Sequence, residues 1–394
     1  MSERRLPVPT GSTVADRVSR ITTGTRLLHA DLHNHTLLSD GDGDPDRCFA
    51  SMQAAGLDVA AITDHSTVAD HFTGPAGDGV LPRGYRPVAG LAPADWVRLG
   101  ALADAHDRPG LFTAIRGFEW SEPRLGHVNV WGSRDYSEVL ELGRMQAFYR
   151  WLNDAGDGLS GFNHPGREPL RFEEFRFDPA AAGRMVSLEM FNRWDDYLFE
   201  GYADGRASPL VACLGAGWRT GLSGVTDEHG DDWGIPTGKG RTGLWVAEHT
   251  RRGVADAMRA RRFFATRTAG LRVDATAQTP ADEPVPMGGV LLLDHADVRF
   301  TVDVDRGADW AGKPLALQVL RPGDGVPDVV EVAEGTCGEL ICCTVRLDRA
   351  DGDWVVLRIS DPAGTNGTPG PDGHPCNDLA VAYVSPWWLQ PAAD

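Results

Sequence analysis

The chain has 394 residues, which exceeds the size of a typical single domain and predicts one large and one small domain. Hydrophobic residues make up 42% of it, enough to bury a sizeable core, and this excludes a disordered protein. The formal net charge of −18 disfavours nucleic-acid polymers as partners, because an acidic surface repels a phosphate backbone.

The first 25 residues are predicted to form an N-terminal arm ahead of the folded domains. This segment contains basic residues but no apolar core of signal-peptide length, and the chain has no run of about 18 or more apolar residues. We therefore expect a soluble, cytoplasmic protein with no membrane partner. Six cysteines without a spaced framework are expected to be reduced thiols.

Between residues 26 and 267, short apolar runs alternate with amphipathic stretches, which predicts β/α units and a mostly parallel sheet. The clearest helix is predicted at 45–55, where Asp44 can cap the first turn and Gly56 can end the last one. A second helix is predicted at 252–261. The predicted strands are 27–32, 59–63, 111–118, 127–130, 159–162, 185–190, 210–214 and 242–246.

Residues 268–394 contain short alternating runs separated by turn-rich stretches such as GDG and PAGTNGTPGPDG. This pattern predicts an antiparallel β-sandwich domain. No residue set in it suggests chemistry, so we expect a structural role: packing against the large domain, shaping one wall of the site or supporting self-association. The oligomeric state is left open.

Nine potential metal ligands occur within the first 229 residues, and nearly all follow the C-terminal end of a predicted strand. In a β/α barrel those ends share one face, so side chains that are remote in sequence converge there. The close pair of histidines in DLHNHT lies on one extended segment, where both side chains project the same way and can hold one ion. The nine residues are His33, His35, Asp40, His65, Glu119, His127, His164, Asp227 and His229.

Six histidines and three carboxylates suit borderline divalent metals such as Zn²⁺, Mn²⁺ or Fe²⁺ better than Mg²⁺ or Ca²⁺. Two ions held by a bridging carboxylate can generate a bridging hydroxide, which is a nucleophile at neutral pH. A histidine that stands alone in a loop is usually structural or solvated. That interpretation is given to His29, His71, His106, His249, His295 and His374.

The motifs DLHNHTLLSDGD, ITDHS, GFEW, the isolated His127, NHPG and GVTDEH occur in this order across residues 30–230. Together they resemble the PHP (polymerase and histidinol phosphatase) metallohydrolases. The further motifs GHVNVWG, RRFFAT and YVSPWWL resemble the carbamate-hydrolase-like branch of that family, named for CehA and McbA. The likeness extends over nearly the whole chain.

This resemblance implies an α/β fold: a distorted seven-stranded, TIM-like β/α barrel with two to three divalent ions, followed by the β-sandwich domain. Some family members have histidine where this chain has Asp40. By motif, the first ion would be held by His33, His35, Glu119 and Asp227, the second by Glu119, His127 and His164, and the third by Asp40, His65 and His229.

Three arginines near these motifs could bind a substrate: Arg167, Arg193 and Arg219. Guanidinium groups match the oxygens of phosphate and carboxylate groups, although each arginine could instead be a surface or ion-paired residue. Arg167 and Arg219 are the expected partners of a developing oxyanion. The predicted catalytic residues are Glu119, Asp227, His229, Arg167 and Arg219.

Four tryptophans flank the motifs and could line an apolar wall for an aromatic substrate. Trp131 lies in a strand-like run and is expected in the core, whereas Trp218 and Trp233 lie in predicted loops and are better pocket candidates. The fourth is Trp120. Asp64 is expected to orient His65 or its neighbours.

These observations predict a metal-dependent hydrolase in which a metal-bridging hydroxide attacks a small-molecule substrate. We favour a small phosphomonoester because of the wider family and the arginines. The alternative, a carbamate, ester or amide, is favoured by the branch likeness and the tryptophans. A third possibility is a catalytically silent metal-binding module, and the complete ligand set argues against it.

Overall fold

The computed structural model describes residues 16–71, 85–154, 158–167, 170–234 and 239–392. Its helices are α1 (Pro45–Ala54), α2 (Pro93–His106), α3 (Val139–Leu142), α4 (Met145–Asp154), α5 (Arg171–Phe175), α6 (Pro209–Gly215) and α7 (Arg251–Arg259). Its first twelve strands are β1 (Arg26–Asp31), β2 (Val59–Ile62), β3 (Val68–His71), β4 (Tyr85–Ala89), β5 (Thr113–Glu122), β6 (Gly126–Trp131), β7 (Leu159–Phe162), β8 (Met185–Asn192), β9 (Asp195–Asp196), β10 (Gly221–Val225), β11 (Arg241–Val246) and β12 (Phe263–Thr266). The later strands are β13 (Arg272–Gln278), β14 (Val285–Pro286), β15 (Val290–Leu292), β16 (His295–Asp305), β17 (Pro314–Arg321), β18 (Asp328–Thr336), β19 (Leu340–Asp348), β20 (Trp354–Thr365) and β21 (Asp378–Gln390).

Most strands join one mixed sheet. Its hydrogen-bonded order is β10-β8-β7-β6-β5-β2-β1-β11-β12-β21-β20-β17-β18. The strands β1, β2 and β5 are parallel neighbours, and so are β7, β8 and β10. The prediction of a mostly parallel sheet is therefore confirmed for two blocks of strands only.

Strand β6 separates these two blocks because it runs antiparallel to both β5 and β7. Only residues 123–125 connect β5 to β6. A connection this short can join antiparallel neighbours, whereas a parallel pair needs a crossover of about a dozen residues. The turn within SEPRLG thus determines the direction of the strand that carries His127.

The predicted seven-stranded barrel is not confirmed, because nine strands lie in hydrogen-bonded order from β10 to β12, and within the described residues β10 has no backbone ladder to β11 or β12 while β12 pairs onward with β21. Side chains bridge β10 to the other end of this series: Ser385 of β21 accepts a hydrogen bond from the Leu222 amide and donates one to the Phe263 carbonyl. Thr242 on β11 accepts a hydrogen bond from the Gly224 amide at 3.2 Å and donates one to the Gly224 carbonyl at 2.8 Å. A Cβ atom at position 224 would collide with the backbone of Arg241 and Thr266, so this close approach requires glycine.

Two hydrophobic cores cover the two faces of this sheet. The inner core includes Leu28, Val59 and Leu244 from the strands, and helix α7 closes it with Val254 and Met258. The outer core contains the aromatic and aliphatic side chains that α1, α2, α4 and α6 bury against the strands. The side chains on both faces of β2 are therefore excluded from water, as expected for a strand covered on both sides.

The C-terminal part consists of two packed sheets. Strands β14, β13, β16 and β19 form a separate antiparallel sheet, which shares one hydrophobic core with β17, β20 and β21 of the large sheet. Phe300 and Trp387 meet across this core with ring centroids 5.6 Å apart. This agrees with the predicted packing of two β-layers.

The last strand connects the two parts of the chain. Phe264, Ala265 and Thr266 of β12 pair antiparallel with β21. The hydroxyl of Tyr383 on β21 also donates a hydrogen bond to Asp196 of β9 at 2.9 Å. The two parts therefore share a sheet and a buried polar contact.

The predicted N-terminal arm lies mainly outside the described residues, but its final part is present. Arg20 forms an ion pair with Asp303 of β16 at 2.7 Å, and Arg17 forms one with Asp58 at the start of β2. Residues 16–25 therefore contact both the part of the chain that carries the predicted ligands and the C-terminal sheets.

One predicted strand is wrong. Residues 210–214 form helix α6, which begins with Pro209 at its first turn, a position that proline favours. Leu210, Cys213 and Leu214 are buried at helical spacing. The predicted helix at 45–55 is confirmed as α1, where the Asp44 side chain accepts a hydrogen bond from the Asp46 amide.

Among the described residues, no helix is both long and apolar enough to cross a membrane. All six cysteines are free thiols, and four of them are buried.

Candidate metal centre

The structure brings all nine predicted ligands into one cluster centred on Glu119. Its carboxylate oxygens lie between 2.9 and 3.4 Å from a ring nitrogen of each of five histidines, which are His33, His35, His65, His127 and His164. Glu119 is completely buried near the end of β5. A carboxylate surrounded in this way can bridge two cations.

Three groups of side chains place their ligand atoms within 4.8 Å of one another: His33, His35 and Asp227; His65, Glu119 and His127; and His35, Asp40, His65 and His229. The first and third groups contain most of the ligands expected for the first and third ions. The middle group differs from the expected second set, because it contains His65 in place of His164. His164 is nevertheless close, since its Nε2 atom lies 3.4 Å from Glu119.

The two histidines of DLHNHT face each other, as expected for a shared ion. Their Nε2 atoms are 3.1 Å apart, and Oδ1 of Asp227 lies 3.4 Å from the first and 3.2 Å from the second. Two imidazole nitrogens with a carboxylate oxygen form a donor set that suits Zn²⁺ and similar ions.

Unpartnered buried atoms support a cation at this cluster. His35 Nδ1 is buried without a hydrogen-bond partner, and Glu119 Oε2 and His127 Nδ1 form no well-aligned hydrogen bond beyond their contacts inside the cluster. Leaving such atoms without a partner is costly, and a bound cation would satisfy them. The residues present therefore fit the divalent ions that the motifs imply.

The charges in the cluster favour a cation as well. Burial alone would raise the pKa of Glu119, but the imidazoles of His33 and His65 outweigh it and hold this pKa well below the ordinary carboxylate value. Burial would likewise raise the pKa of Asp227, but the imidazoles of His33 and His35 outweigh it and hold this pKa well below its ordinary value. Both carboxylates are therefore ionised, and they need positive charge beside them.

Exposure identifies the open side of the cluster. His33, His35 and Glu119 have completely buried side chains, whereas the side chains of Asp40, His229 and His127 are 36%, 27% and 24% exposed. A small molecule would therefore approach from the side on which Asp40, His229 and His127 lie.

The loop after His35 is fixed by Asp64. This buried carboxylate accepts hydrogen bonds from the Thr36 amide and hydroxyl and from the Ser39 hydroxyl, at 2.6 to 2.8 Å. The expectation that Asp64 orients His65 or its neighbours is therefore narrowed: its side-chain hydrogen bonds position the segment that carries Asp40, which belongs to the same ligand group as His65.

Two arginines flank Asp227 at the open side. Arg167 Nη1 lies 3.7 Å from Asp227 Oδ2, and Arg193 Nε lies 3.5 Å from the same oxygen. Arg193 Nη2 is also 2.8 Å from Nδ1 of His229. Their side chains are 38% and 42% exposed, so both guanidinium groups remain accessible to an anion.

Arg219 is not part of the cluster, which corrects the prediction of a catalytic role. It precedes β10, whereas Asp227 follows the other end of that strand. Eight residues of extended chain separate the two positions by roughly 25 Å. Arg219 instead stacks over Trp388, with 5.9 Å from its Cζ atom to the ring centroid.

The tryptophans do not form a wall at the cluster. Trp120 and Trp218 are completely buried, and Trp218 donates a hydrogen bond to the carbonyl of Phe175. Trp233 is also buried, and its Nε1 donates to the His35 carbonyl at 3.1 Å, which makes it a support for the ligand loop. Trp131 packs in the inner core, as predicted.

The backbone is strained at this centre. His164, Arg193 and Asp227 have φ angles of 27°, 52° and 48°, in the left-handed region that non-glycine residues rarely adopt. Such conformations cost about 1–3 kcal/mol each and are concentrated at functional sites.

Two residues of the centre were missed by the sequence patterns. Oε1 of Glu189 lies 2.8 Å from Nδ1 of His33, and its Oε2 accepts a hydrogen bond from the His164 amide at 2.7 Å. Asn163 donates a hydrogen bond to Glu119 at 2.6 Å. The sequence offers a signal for Asn163, because this residue directly precedes His164 in the NHPG motif. It offers none for Glu189, which is a lone acidic residue in a buried strand.

Comparison with known proteins assigns no family. No family model and no curated protein matches the sequence. A two-domain protein from Bacteroides vulgatus, described as containing a predicted PHP-like metal-dependent phosphoesterase, has 15% identity and a TM-score of 0.44, over 95% of this chain and 99% of that chain. A proposed metal-dependent phosphoesterase from Bifidobacterium adolescentis has 14% identity and a TM-score of 0.32, over 52% of this chain and 88% of that chain.

The third structure is an amidohydrolase from Chromobacterium violaceum with bound sulfate and no metal. It has 14% identity and a TM-score of 0.28, over 52% of this chain and 89% of that chain. All three TM-scores lie below 0.5, so no fold or activity is transferred from these proteins to this chain.

Proposed function

We propose that the protein is a metal-dependent hydrolase of the PHP type and that its substrate is a small phosphomonoester. The observation that carries this proposal is the packing of five histidine nitrogens around the buried carboxylate of Glu119. Divalent ions held by the nine ligands would polarise the substrate and lower the pKa of a water nucleophile. The motif likeness to the branch named for CehA and McbA is the finer family proposal.

The two arginines at the open side support an anionic substrate. Arg167 and Arg193 lie on either side of Asp227, and both are partly exposed. Arg167 also contacts Asp195 at 3.6 Å, which holds the guanidinium group near the mouth of the cluster. A phosphate group bound here would receive charge-assisted hydrogen bonds, which are about twice as strong as neutral ones.

The carbamate, ester or amide alternative has less support than it had from the sequence. It relied partly on tryptophans lining the pocket, and Trp120, Trp218 and Trp233 are all buried away from solvent. The phosphomonoester is therefore the preferred substrate class, and carbonyl substrates remain one arm of the test.

The test is release of inorganic phosphate from a panel of phosphomonoesters by protein reconstituted with Mn²⁺ or Zn²⁺. Naphthyl esters and naphthyl carbamates are assayed in parallel. We expect metal-dependent phosphate release with little naphthol release. Release of naphthol without phosphate would favour the carbonyl alternative, and no turnover of any substrate by metal-loaded protein would favour a silent metal-binding module.

The matched variants are Glu119→Gln and Glu122→Gln, two isosteric changes of buried carboxylates on β5. Glu122 accepts hydrogen bonds from the amides of Arg124 and Leu125 and has no contact with the nine ligands in the described structure. We expect Glu119→Gln to lower kcat at least about 1,000-fold, because the central carboxylate is lost, and Glu122→Gln to retain activity. Equal activity of both variants would contradict the proposed site.

A further inference from the structure

A separate cleft lies at the opposite end of the sheet, between helices α2 and α7. Its volume is about 760 Å³, which is within the range of small-molecule sites. It is lined by Ile115 near the start of β5 and Leu159 at the start of β7, whereas the ligands Glu119 and His164 lie toward or beyond the other ends of these strands. None of the nine candidate metal ligands lines it.

The floor of the cleft is apolar. Ile115, Trp131 and Leu159 belong to the buried inner core, and Val254 and Met258 of α7 complete this surface. The Trp131 ring is fixed from behind, because its Nε1 donates a hydrogen bond to the Leu32 carbonyl at 2.8 Å. A rigid aromatic face of this kind suits an aromatic or other apolar ligand group.

The rim of the cleft is cationic. The charged side chains that line it are Arg116, Arg251, Arg252, Arg259, Asp104 and Asp256, four positive and two negative. The chain as a whole carries a net charge of −18, so this local excess of positive charge runs against the composition. A positively charged cleft on an acidic protein attracts small anions selectively.

Two buried polar atoms in the cleft, one on Arg251 and one on Ser133, lack a hydrogen-bond partner. Arg251 pairs with Asp104 at 2.6 Å and donates to the Ala114 carbonyl, but its buried Nη2 atom has no hydrogen-bond partner. Ser133 is only 2% exposed, and its hydroxyl also has none. Buried polar groups without partners are rare in proteins, and a bound ligand would satisfy them.

Arg116 supplies a further available charge. Its guanidinium group stacks over Trp96 at 3.9 Å from the ring centroid and donates to the carbonyls of Ser133 and Arg134. Within the described ranges, no carboxylate forms an ion pair with it. The carboxylates of Asp104 and Asp135 act on it only at longer range, so no ion pair has to be broken for an anion to bind.

We propose that this cleft is a binding site for a small aromatic anion. The aromatic body would lie on Trp131 and the apolar floor, and Arg116, Arg251 and Arg252 would hold the acidic group. This site is separate from the metal centre, and its occupancy does not depend on the proposed hydrolase activity.

The test uses the fluorescent anion 8-anilinonaphthalene-1-sulfonate with the full-length protein, and the uncharged N-phenyl-1-naphthylamine as a comparison. We expect one tight site for the sulfonate and at least about tenfold weaker binding of the uncharged compound, since a charged hydrogen bond is lost. Hydrogen exchange should slow at residues 131–133 and 251–259 when the sulfonate binds. Equal affinity for the two compounds, or protection elsewhere, would overturn the proposal.

Two variants test the arginines. Arg116→Gln should weaken sulfonate binding about tenfold. Arg252→Gln should weaken it about threefold. The Arg252 side chain is 90% exposed, so its replacement should not affect folding. Arg98→Gln on α2 is the matched control, because Arg98 pairs with Asp46 and does not line the cleft. Binding should persist in Glu119→Gln. Unchanged affinity in Arg252→Gln together with loss of binding in Glu119→Gln would place the probe at the metal centre.

Discussion

Nδ1 of His33 lies 2.8 Å from Oε1 of Glu189, a carboxylate outside the nine predicted ligands. This contact fixes the imidazole so that Nε2 faces His35, Glu119 and Asp227. A carboxylate behind a histidine in this arrangement orients the ring and increases its basicity as a metal ligand.

We therefore predict that Glu189→Gln weakens metal binding by about 10- to 100-fold while the protein stays folded. Metal content after dialysis and titration with Zn²⁺ or Mn²⁺ measure the effect. Glu334→Gln, on the exposed side of β18, is the control and should bind metal as the wild type does. Wild-type affinity in Glu189→Gln would show that this carboxylate does not support the ligand.

Arg167 and Arg219, which the sequence predicts as partners of the developing oxyanion, should differ in their effect on catalysis. Arg167→Ala should lower kcat/KM for a phosphomonoester about 10- to 100-fold, because a charged contact with the substrate is lost beside Asp227. Arg219→Ala should leave kcat/KM near the wild-type value, because Arg219 packs against Trp388. Steady-state kinetics on both variants decides the matter, and a larger loss in Arg219→Ala would contradict the placement of the site.

Metal removal should destabilise the protein. Buried atoms of the cluster, among them His35 Nδ1, which has no hydrogen-bond partner, would be satisfied by a bound cation. At a free metal concentration of about 100 times Kd, binding adds about 2.7 kcal/mol to the free energy of unfolding. Thermal unfolding with and without a chelator should show a lower Tm for the chelated protein, with a smaller difference in Glu119→Gln. Identical Tm values with and without the chelator would argue against a cation at this cluster.

Buried His29 predicts an acid-sensitive fold. Burial lowers the pKa of His29 from 6.5 to about 4, the charge of Arg17 adds to the effect, and Asp58 opposes it. The unfolded chain therefore binds a proton below about pH 6.5 that the folded chain accepts only near pH 4. Stability from this residue is complete above pH 6.5 and declines as the pH falls to 4, by about 3 kcal/mol in total.

The check is urea unfolding of the wild type and His29→Phe between pH 7 and 4. The variant carries no proton at this position in either state, so its free energy of unfolding should fall less steeply with acidity. Parallel curves for the two proteins would rule out His29 as a source of acid sensitivity.

The contact between Tyr383 and Asp196 predicts that the C-terminal part is required. Tyr383→Phe leaves the buried Asp196 carboxylate without one of its hydrogen-bond donors and should cost about 1–3 kcal/mol of stability. Tyr202→Phe, at a partly exposed tyrosine, is the control.

A chain ending at residue 267 should be insoluble, because β12 loses its partner strand. Soluble truncated protein with wild-type metal binding would show that the C-terminal sheets are dispensable.

The sequence indicated which side chains would cluster, because each of the nine candidate ligands follows a strand or lies in a short polar motif. The strands β1, β2 and β5 are parallel neighbours, so ligands that follow their ends converge. The direction of β6 and the pairing of β12 with β21 could not be read from periodicity, which reports the faces of a strand and not its neighbours.

The error at Arg219 has a specific cause. If residues 210–214 were a strand, the segment GAGWRTG would follow the same edge of the sheet as the other ligands. Because they form α6, that segment instead leads into β10 from the opposite edge. A run of five apolar residues is compatible with either element, and Pro209 was the available signal for a helix. Glu189 was missed because an isolated acidic residue in a buried strand has no recognisable spacing.

The position of β21 also determines the order in which the molecule can be completed during synthesis. Strand β12, which ends at Thr266, pairs with residues 382–384, so its outer edge stays open while more than one hundred further residues are made. An unpaired strand edge is prone to pair with other chains. Residues 382–384 must therefore be synthesised before this edge is covered, and a chain that ends before them would contain all nine candidate ligands yet remain vulnerable to aggregation.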